Sequence, residues 1–145
     1  GPKASNGAYA VYPVESTNIL IDSVVVSGAS DAGIYVGQSN AITVRNSIAQ
    51  YNVAGIEIEN SRNAVVEDNM AIHNTGGILV FDLPNLSREG TRTKVYNNVV
   101  RNNNTTNIAG LVDESSTNFG HVSDSTEEIH HLSRLLAEKV DQFKV

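Results

Sequence analysis

Residues Ala32–Val53 read AGIYVGQSNAITVRNSIAQYNV, and residues Ala54–Thr75 read AGIEIENSRNAVVEDNMAIHNT. Laid one on the other, Gly33, Ile34, Val36, Ser39, Val44, Ala49 and Asn52 recur as Gly55, Ile56, Ile58, Ser61, Val66, Ala71 and Asn74, at an offset of 22. A period of this length, carrying several short apolar pairs of β type, marks a solenoid rather than a globule. Pairs such as Ile34-x-Val36 and Ile42-x-Val44 send one side chain inward and the next outward. Gly, Ser and Asn separate the pairs, and all three are turn formers, Gly and Asn tolerating left-handed backbone angles. Coils of this size, stacked one strand spacing (about 4.8 Å) apart, make a right-handed parallel β-helix.

The pattern spreads in both directions. Upstream, Val11, Ser16, Ile19 and Ile21 precede Ile34, Ser39, Ile42 and Val44 by 23 residues. Downstream, Gly77-Ile78-Leu79-Val80 follows Gly55-Ile56-Glu57-Ile58 by 22. Leu83–Thr93 then interrupts, and Val95, Asn98, Val100 and Asn103 resume the positions of Val66, Asn69, Ala71 and Asn74 at 29, which implies an inserted loop of about seven residues. The expected fold is therefore all-β, with about four coils over residues 7–107. Its inward columns are Val11/Ile34/Ile56/Ile78, Pro13/Val36/Ile58/Val80 and Ile21/Val44/Val66/Val95. Asn52, Asn74 and Asn103 stack at one corner and Asn69 and Asn98 at another, where carboxamides satisfy turn amides and carbonyls from coil to coil.

Beyond the repeat the period changes. Residues 108–122 read as a linker, and residues 123–145 as an amphipathic α-helix. Ser123 or Ser125 caps it, Glu127 and Glu128 fall in its first turn, and Ile129, Leu132, Leu136, Val140 and Phe143 draw one apolar stripe. The stripe suits a cap on the open solenoid end or an association element, so a homodimer through the helix or a solenoid end is expected. Residues 1–6 are a lead-in, opening on Gly1-Pro2, which reads as a protease scar.

Composition narrows the function. A net charge of −6 argues against nucleic acid as a partner, and no apolar stretch reaches bilayer length. The absence of cysteine excludes disulfides and thiolate metal sites. Adjacent His130 and His131 point about 100° apart on a helix, and His73 falls in a turn column with Tyr51 and Asn102, so no metal is expected.

With Gly55-Ile56-Glu57-Ile58 and Val66-Glu67-Asp68-Asn69-Met70-Ala71-Ile72-His73-Asn74 as its motifs, the chain resembles right-handed parallel β-helix repeat proteins. That group includes polysaccharide lyases, hydrolases and epimerases alongside non-catalytic surface proteins, so the resemblance implies a fold and an extracytoplasmic setting more than an activity. Asp124–Ile129 with Leu136–Val145 is similar to the C-terminus of methyl-accepting chemotaxis receptors, which implies a cytoplasmic setting instead.

Enzymes of this architecture need grouped acids on an outward face, and lyases add calcium and an Arg or Lys base. Outward positions carry Tyr12, Tyr35, Glu57 and Leu79 in one column and Gly37, Glu59 and Phe81 in the next, with Asp82 closing the strand and Arg92 and Lys94 near the insertion. Glu57, Glu59, Asp82 and Lys94 are the catalytic candidates; Tyr35, Glu57, Leu79, Phe81 and Arg92 are the binding candidates. A separate column of Asp22, Arg45, Glu67 and Tyr96 reads as structural pairing across coils. Leu79, Phe81, Leu83 and Leu86 suggest that the insertion folds back over its strand, the alternative being an exposed patch used in association. The outward faces lack a dense charged cluster, which favours a non-catalytic module, a scaffold or recognition surface for extended glycans or protein. A fragment of a polysaccharide-active enzyme, with calcium as its cofactor, and a chemoreceptor-linked sensory piece are the alternatives.

Overall fold

Each repeat folds as three strands because each holds three short alternating segments separated by residues that accept left-handed angles. The computed structural model describes residues 2–104. The first coil comprises β1 (Tyr9–Val11), β2 (Thr17–Asp22) and β3 (Val25–Ser27), and the second β4 (Ala32–Gly37), β5 (Asn40–Arg45) and β6 (Ile48–Gln50). Then follow β7 (Ala54–Glu59), β8 (Arg62–Glu67) and β9 (Met70–Ile72), and finally β10 (Gly76–Phe81), β11 (Lys94–Tyr96) and β12 (Val99–Arg101). Three four-stranded parallel sheets result, ordered β1-β4-β7-β10, β2-β5-β8-β11 and β3-β6-β9-β12. The solenoid makes about three turns, slightly fewer than the four coils expected. Its terminal coils are incomplete, β1 and β11 having three residues where the strands they join have six.

The register follows the repeat. Val11, Ile34, Ile56 and Ile78 pair in sequence, as do Ile21, Val44, Val66 and Val95. Val36, Ile58 and Val80 align likewise, with Pro13 half-buried at the open first coil. Burial is complete in the middle coils and weaker at the ends, where Val11, Ile19, Val80 and Val100 only lean on the core.

Turning the chain three times per coil strands peptide groups in places water cannot reach, and small polar side chains answer this at each corner. Asn74 is fully buried; its Oδ1 accepts from the Asn52 backbone N–H at 2.9 Å, and its Nδ2 donates to the Ala49 carbonyl at 2.9 Å. Asn103 repeats both bonds one coil on, at 3.0 Å each, to the Asn74 N–H and the Ala71 carbonyl. At a second corner Asn69 serves the Ser47 N–H and Val44 carbonyl, and Asn98 the Asn69 N–H and Val66 carbonyl. At the third corner Ser39 and Ser61 take this part, their hydroxyls accepting from the Ser16 and Ser39 N–H groups. Left-handed residues precede these corners in columns, Gln38 and Asn60 at one, Asn46, Asp68 and Asn97 at another, Tyr51, His73 and Asn102 at the third.

The recurrent glycine is the counterpart of the asparagine. A Cβ on Gly33 would lie 2.7 Å from Asn52 Nδ2, one on Gly55 2.9 Å from Asn74 Nδ2 and 2.5 Å from the Gly77 carbonyl, and one on Gly77 2.8 Å from Asn103 Nδ2. The Gly-Ile-x-Val motif is thus the space in which a corner carboxamide sits.

The insertion folds back along the stack beside the serine corner, where the Thr91 N–H donates to the Ser61 carbonyl at 3.0 Å. Buried Asn60 clamps it, donating to the Leu83 and Arg88 carbonyls at 3.0 and 2.8 Å and accepting from the Leu83 N–H at 2.8 Å. Ser87 reaches the Glu15 carboxylate of the first coil at 2.9 Å. Leu83 and Leu86 are exposed. The expected helix over 123–145, its stripe of Ile129, Leu132, Leu136, Val140 and Phe143, and the linker over 108–122 lie outside the described residues. Among the described residues no helix is long and apolar enough to cross a membrane.

Gly55→Ala is expected to cost about 2–3 kcal/mol through overpacking against the Gly77 carbonyl and the Asn74 carboxamide. Gly76→Ala, whose Cβ meets only Leu79 at 3.4 Å, is expected to change stability by less than about 1 kcal/mol. Urea unfolding of both variants checks the contrast, and equal losses would contradict the close-approach account.

Candidate functional site

Alternation along β4, β7 and β10 puts one residue in two on the outer face of the first sheet. Tyr35, Glu57 and Leu79 pair directly across the three strands, and Gly37, Glu59 and Phe81 form the adjoining column. This face is partly closed to solvent. Tyr35 is 7% exposed and Glu59 8%, while Tyr12 is 55% exposed. Tyr35, Ala32 and Ala54 form an apolar cluster of their own, with Tyr9, Val14 and Leu79 packed against it.

Three tyrosines stack here. The Tyr9 and Tyr12 rings lie 4.4 Å apart and 14° from parallel, and each is 5.0 Å from the Tyr35 ring. Hydrogen bonds to the next coil hold two of them. Tyr9 Oη donates to Asp31 Oδ2 at 2.7 Å, and Tyr35 Oη donates to Glu59 Oε2 at 2.8 Å. Gly37 makes room for the second bond, since a Cβ there would come within 2.6 Å of the Tyr35 ring and hydroxyl. Bonding to Asp31, then burial, raises the Tyr9 hydroxyl above the usual phenol range; burial foremost pushes Tyr35 up to about 12. Both phenols therefore remain donors at any physiological pH.

Glu57 follows Tyr35 in the column. Burial above all, then the negative charges of Asp31 and Glu59, raises its carboxyl to about 7. Glu57 and Glu59 point to the same face two residues apart, about 6.6 Å along the strand. The other candidates lie elsewhere. Asp82 sits beyond the end of β10 and accepts from the Gly90 N–H at 2.8 Å, which ties the insertion to its strand. Arg92 has a positive φ and lines a cavity of about 260 Å³ with Ile58, Val80, Phe81, Asp82 and Val95. Lys94 pairs with Val65 on the second sheet, so the proposed set Glu57, Glu59, Asp82 and Lys94 does not share one face.

The column Asp22, Arg45, Glu67 and Tyr96 stands in register on the second sheet. Arg45 Nε meets Asp22 Oδ2 at 2.8 Å, and Tyr96 Oη donates to Glu67. The Ser23, Arg45 and Asn46 side chains together hold the Asp22 carboxyl down to about 2. His73 stacks on Tyr51 with ring centroids 5.1 Å apart. Among the described residues no group of three or more His, Cys, Asp or Glu side chains is placed to hold a metal ion.

Tyr9 and Asp31 were not among the residues singled out by sequence. The available signal was their separation of 22, one coil, which stacks a phenol above a carboxylate.

Glu57 makes stability pH-dependent. Its folded pKa of about 7 lies above the ordinary 4.5, so its contribution is complete below about 4.5 and is lost as pH rises through 7. Solvent screening of this half-buried group trims the effect to about 1 kcal/mol. Glu57→Gln is expected to be more stable than the parent by that amount at pH 8 and no more stable at pH 4. Thermal unfolding at the two pH values measures the difference, and a constant offset would contradict it.

Residues 3–127 match the family described as the right handed beta helix region. No curated protein and no solved structure gives a match. The comparisons lend no support to the resemblance of the tail to chemotaxis receptors. The three parallel sheets, the coil-to-coil register and a match spanning most of the sequence establish that the chain belongs to the right-handed β-helix family.

Proposed function

We propose that this β-helix module is a recognition surface whose outer first sheet binds an extended glycan. The observation that carries the reading is the tyrosine stack, with Tyr12 open to solvent over rings that Asp31 and Glu59 hold in place from the next coil. The C–H-rich face of a sugar ring is apolar and faintly positive, and it complements the negative face of an aromatic ring. Rings that are already immobilised lose little entropy on binding. The column continues from Tyr12 through Tyr35 and Glu57 to Leu79, one position per coil about 4.8 Å apart, which suits a chain of flat units laid along the solenoid. Tyr12→Ala is expected to weaken glycan binding roughly tenfold, the loss of one aromatic contact of about 1.4 kcal/mol. Calorimetric titration against a panel of soluble oligosaccharides, with circular dichroism as the control for folding, makes the test. Unchanged affinity in Tyr12→Ala, or no binding to any member, would sink the reading.

One observation favours a second reading. Glu57 keeps its proton up to about 7, the condition a general acid needs, and Glu59 follows it two residues along the same strand. On this reading the chain releases reducing ends from a neutral glycan, and Glu57→Gln abolishes release. A reducing-sugar assay decides it, and activity that survives in Glu57→Gln would dismiss Glu57 as the acid.

A further inference from the structure

Charge is sorted by sheet in this solenoid. The four strands of the first sheet, residues 9–11, 32–37, 54–59 and 76–81, contain no lysine or arginine. Their charged residues are Glu57 and Glu59, and Asp31 adjoins β4. The basic strand residues all stand on the other sheets: Arg45, Arg62 and Lys94 on the second, Arg101 on the third. The tyrosine stack thus has carboxylates beside it and no strand cation among them. A polyuronate laid on this face would meet like charge, and the base a uronate lyase needs is absent from these strands, Lys94 being on another sheet. An ammonium group meets the reverse, carboxylates at close range and the faces of aromatic rings, both of which attract it.

We propose that the ligand of this face is an amine-bearing glycan, a polymer of amino sugars carrying positive charge, bound with its rings against Tyr12 and its ammonium groups toward Glu57 and Asp31. This rests on the recognition reading and supplies its ligand class. Asp31 and Glu59 each accept one phenol hydrogen bond, while Glu57 stands in the tyrosine column within reach of both their charges, so Glu57 is the group that discriminates by charge. An extended peptide of basic residues would carry the same ammonium groups. The glycan is preferred because this face is a row of ring faces and short side chains, with Ala32 and Ala54 buried along it.

The test uses the whole chain and glucosamine oligomers trimethylated at nitrogen, so that the ligand charge is fixed. N-acetylated glucosamine oligomers, galacturonate oligomers and oligolysine of matching length serve as comparisons, all titrated calorimetrically at pH 7.5. The trimethylated oligomer is expected to bind roughly tenfold more tightly than the N-acetylated one, with the advantage shrinking as salt is raised. Glu57→Gln is expected to bring the two toward parity, whereas Asp22→Asn, which removes an acid from the second sheet, is expected to preserve the preference. Equal binding of charged and neutral oligomers, both lost in Tyr12→Ala, would leave the aromatic platform standing and overturn the charge preference. Tighter binding of galacturonate would overturn it in the same way, and oligolysine binding as tightly as the amino sugar would overturn the assignment to a glycan. Binding of none of the ligands would end both this inference and the recognition reading.

Discussion

Where one coil passes into the next, the chain turns with its peptide groups facing the interior, and a buried carboxamide completes their hydrogen bonds. Asn74 joins three coils in this way, since it serves the Asn52 amide on one side while its own amide is served by Asn103 on the other. Each buried bond is worth about 1 kcal/mol net, but leaving its partner unsatisfied costs more, so the corner residue is constrained more tightly than a core aliphatic. The glycine facing it is constrained for the same reason, because the carboxamide occupies the volume of a side chain. The corners hold the coil period, the period sets the strand register, and the register aligns every column on the outer faces.

That alignment has opposite consequences on two faces. On the second sheet it places Asp22 beside Arg45 and Glu67 beside Tyr96, so that charges and donors find partners across coils. On the first it gathers Asp31, Glu57 and Glu59 around a tyrosine stack, with two phenols hydrogen-bonded to acids and Glu57 raised to about 7. The second arrangement keeps like charges together in a half-buried place, which works against stability at neutral pH. The insertion contributes separately, as a loop clamped by Asn60 that reaches back to the first coil.

Much of the architecture was legible in the sequence because a solenoid encodes its tertiary contacts as a period. The offset of Ile34, Ile56 and Ile78 is the register of the sheet, and the offset of Asn52 and Asn74 is the hydrogen bond between coils. Legibility failed where the repeat is imperfect. The coil count was overstated because apolar residues such as Val11 and Val95 continue the pattern in strands of half length. The insertion was harder to read because Leu83 and Leu86 suggested apolar cover, whereas polar bonds from Asn60, Glu15 and Asp82 hold the loop and both leucines are exposed.

The sequence by itself determined the period, the strands, the inward columns and the polar corners, since each is a local pattern repeated at a constant interval. Only the tertiary structure decided which outward residues face water. Alternation assigns Tyr12, Tyr35, Glu57 and Leu79 to one face, yet Tyr35 is buried and Tyr12 is not, because the Tyr35 ring lies along Gly37 and Ala32 of its own strand and Ala54 of the next. The same holds for chemistry. Glu57 and Glu67 occupy outward positions in similar strands, but Glu67 accepts the Tyr96 hydroxyl, whereas burial on the first sheet and the charges of Asp31 and Glu59 raise the Glu57 carboxyl toward 7. Lys94 looks near the acids in the linear order, and the turn between sheets carries it to another face. Periodicity specifies where a backbone goes; the reach and packing of long side chains between coils decide what its surface can bind.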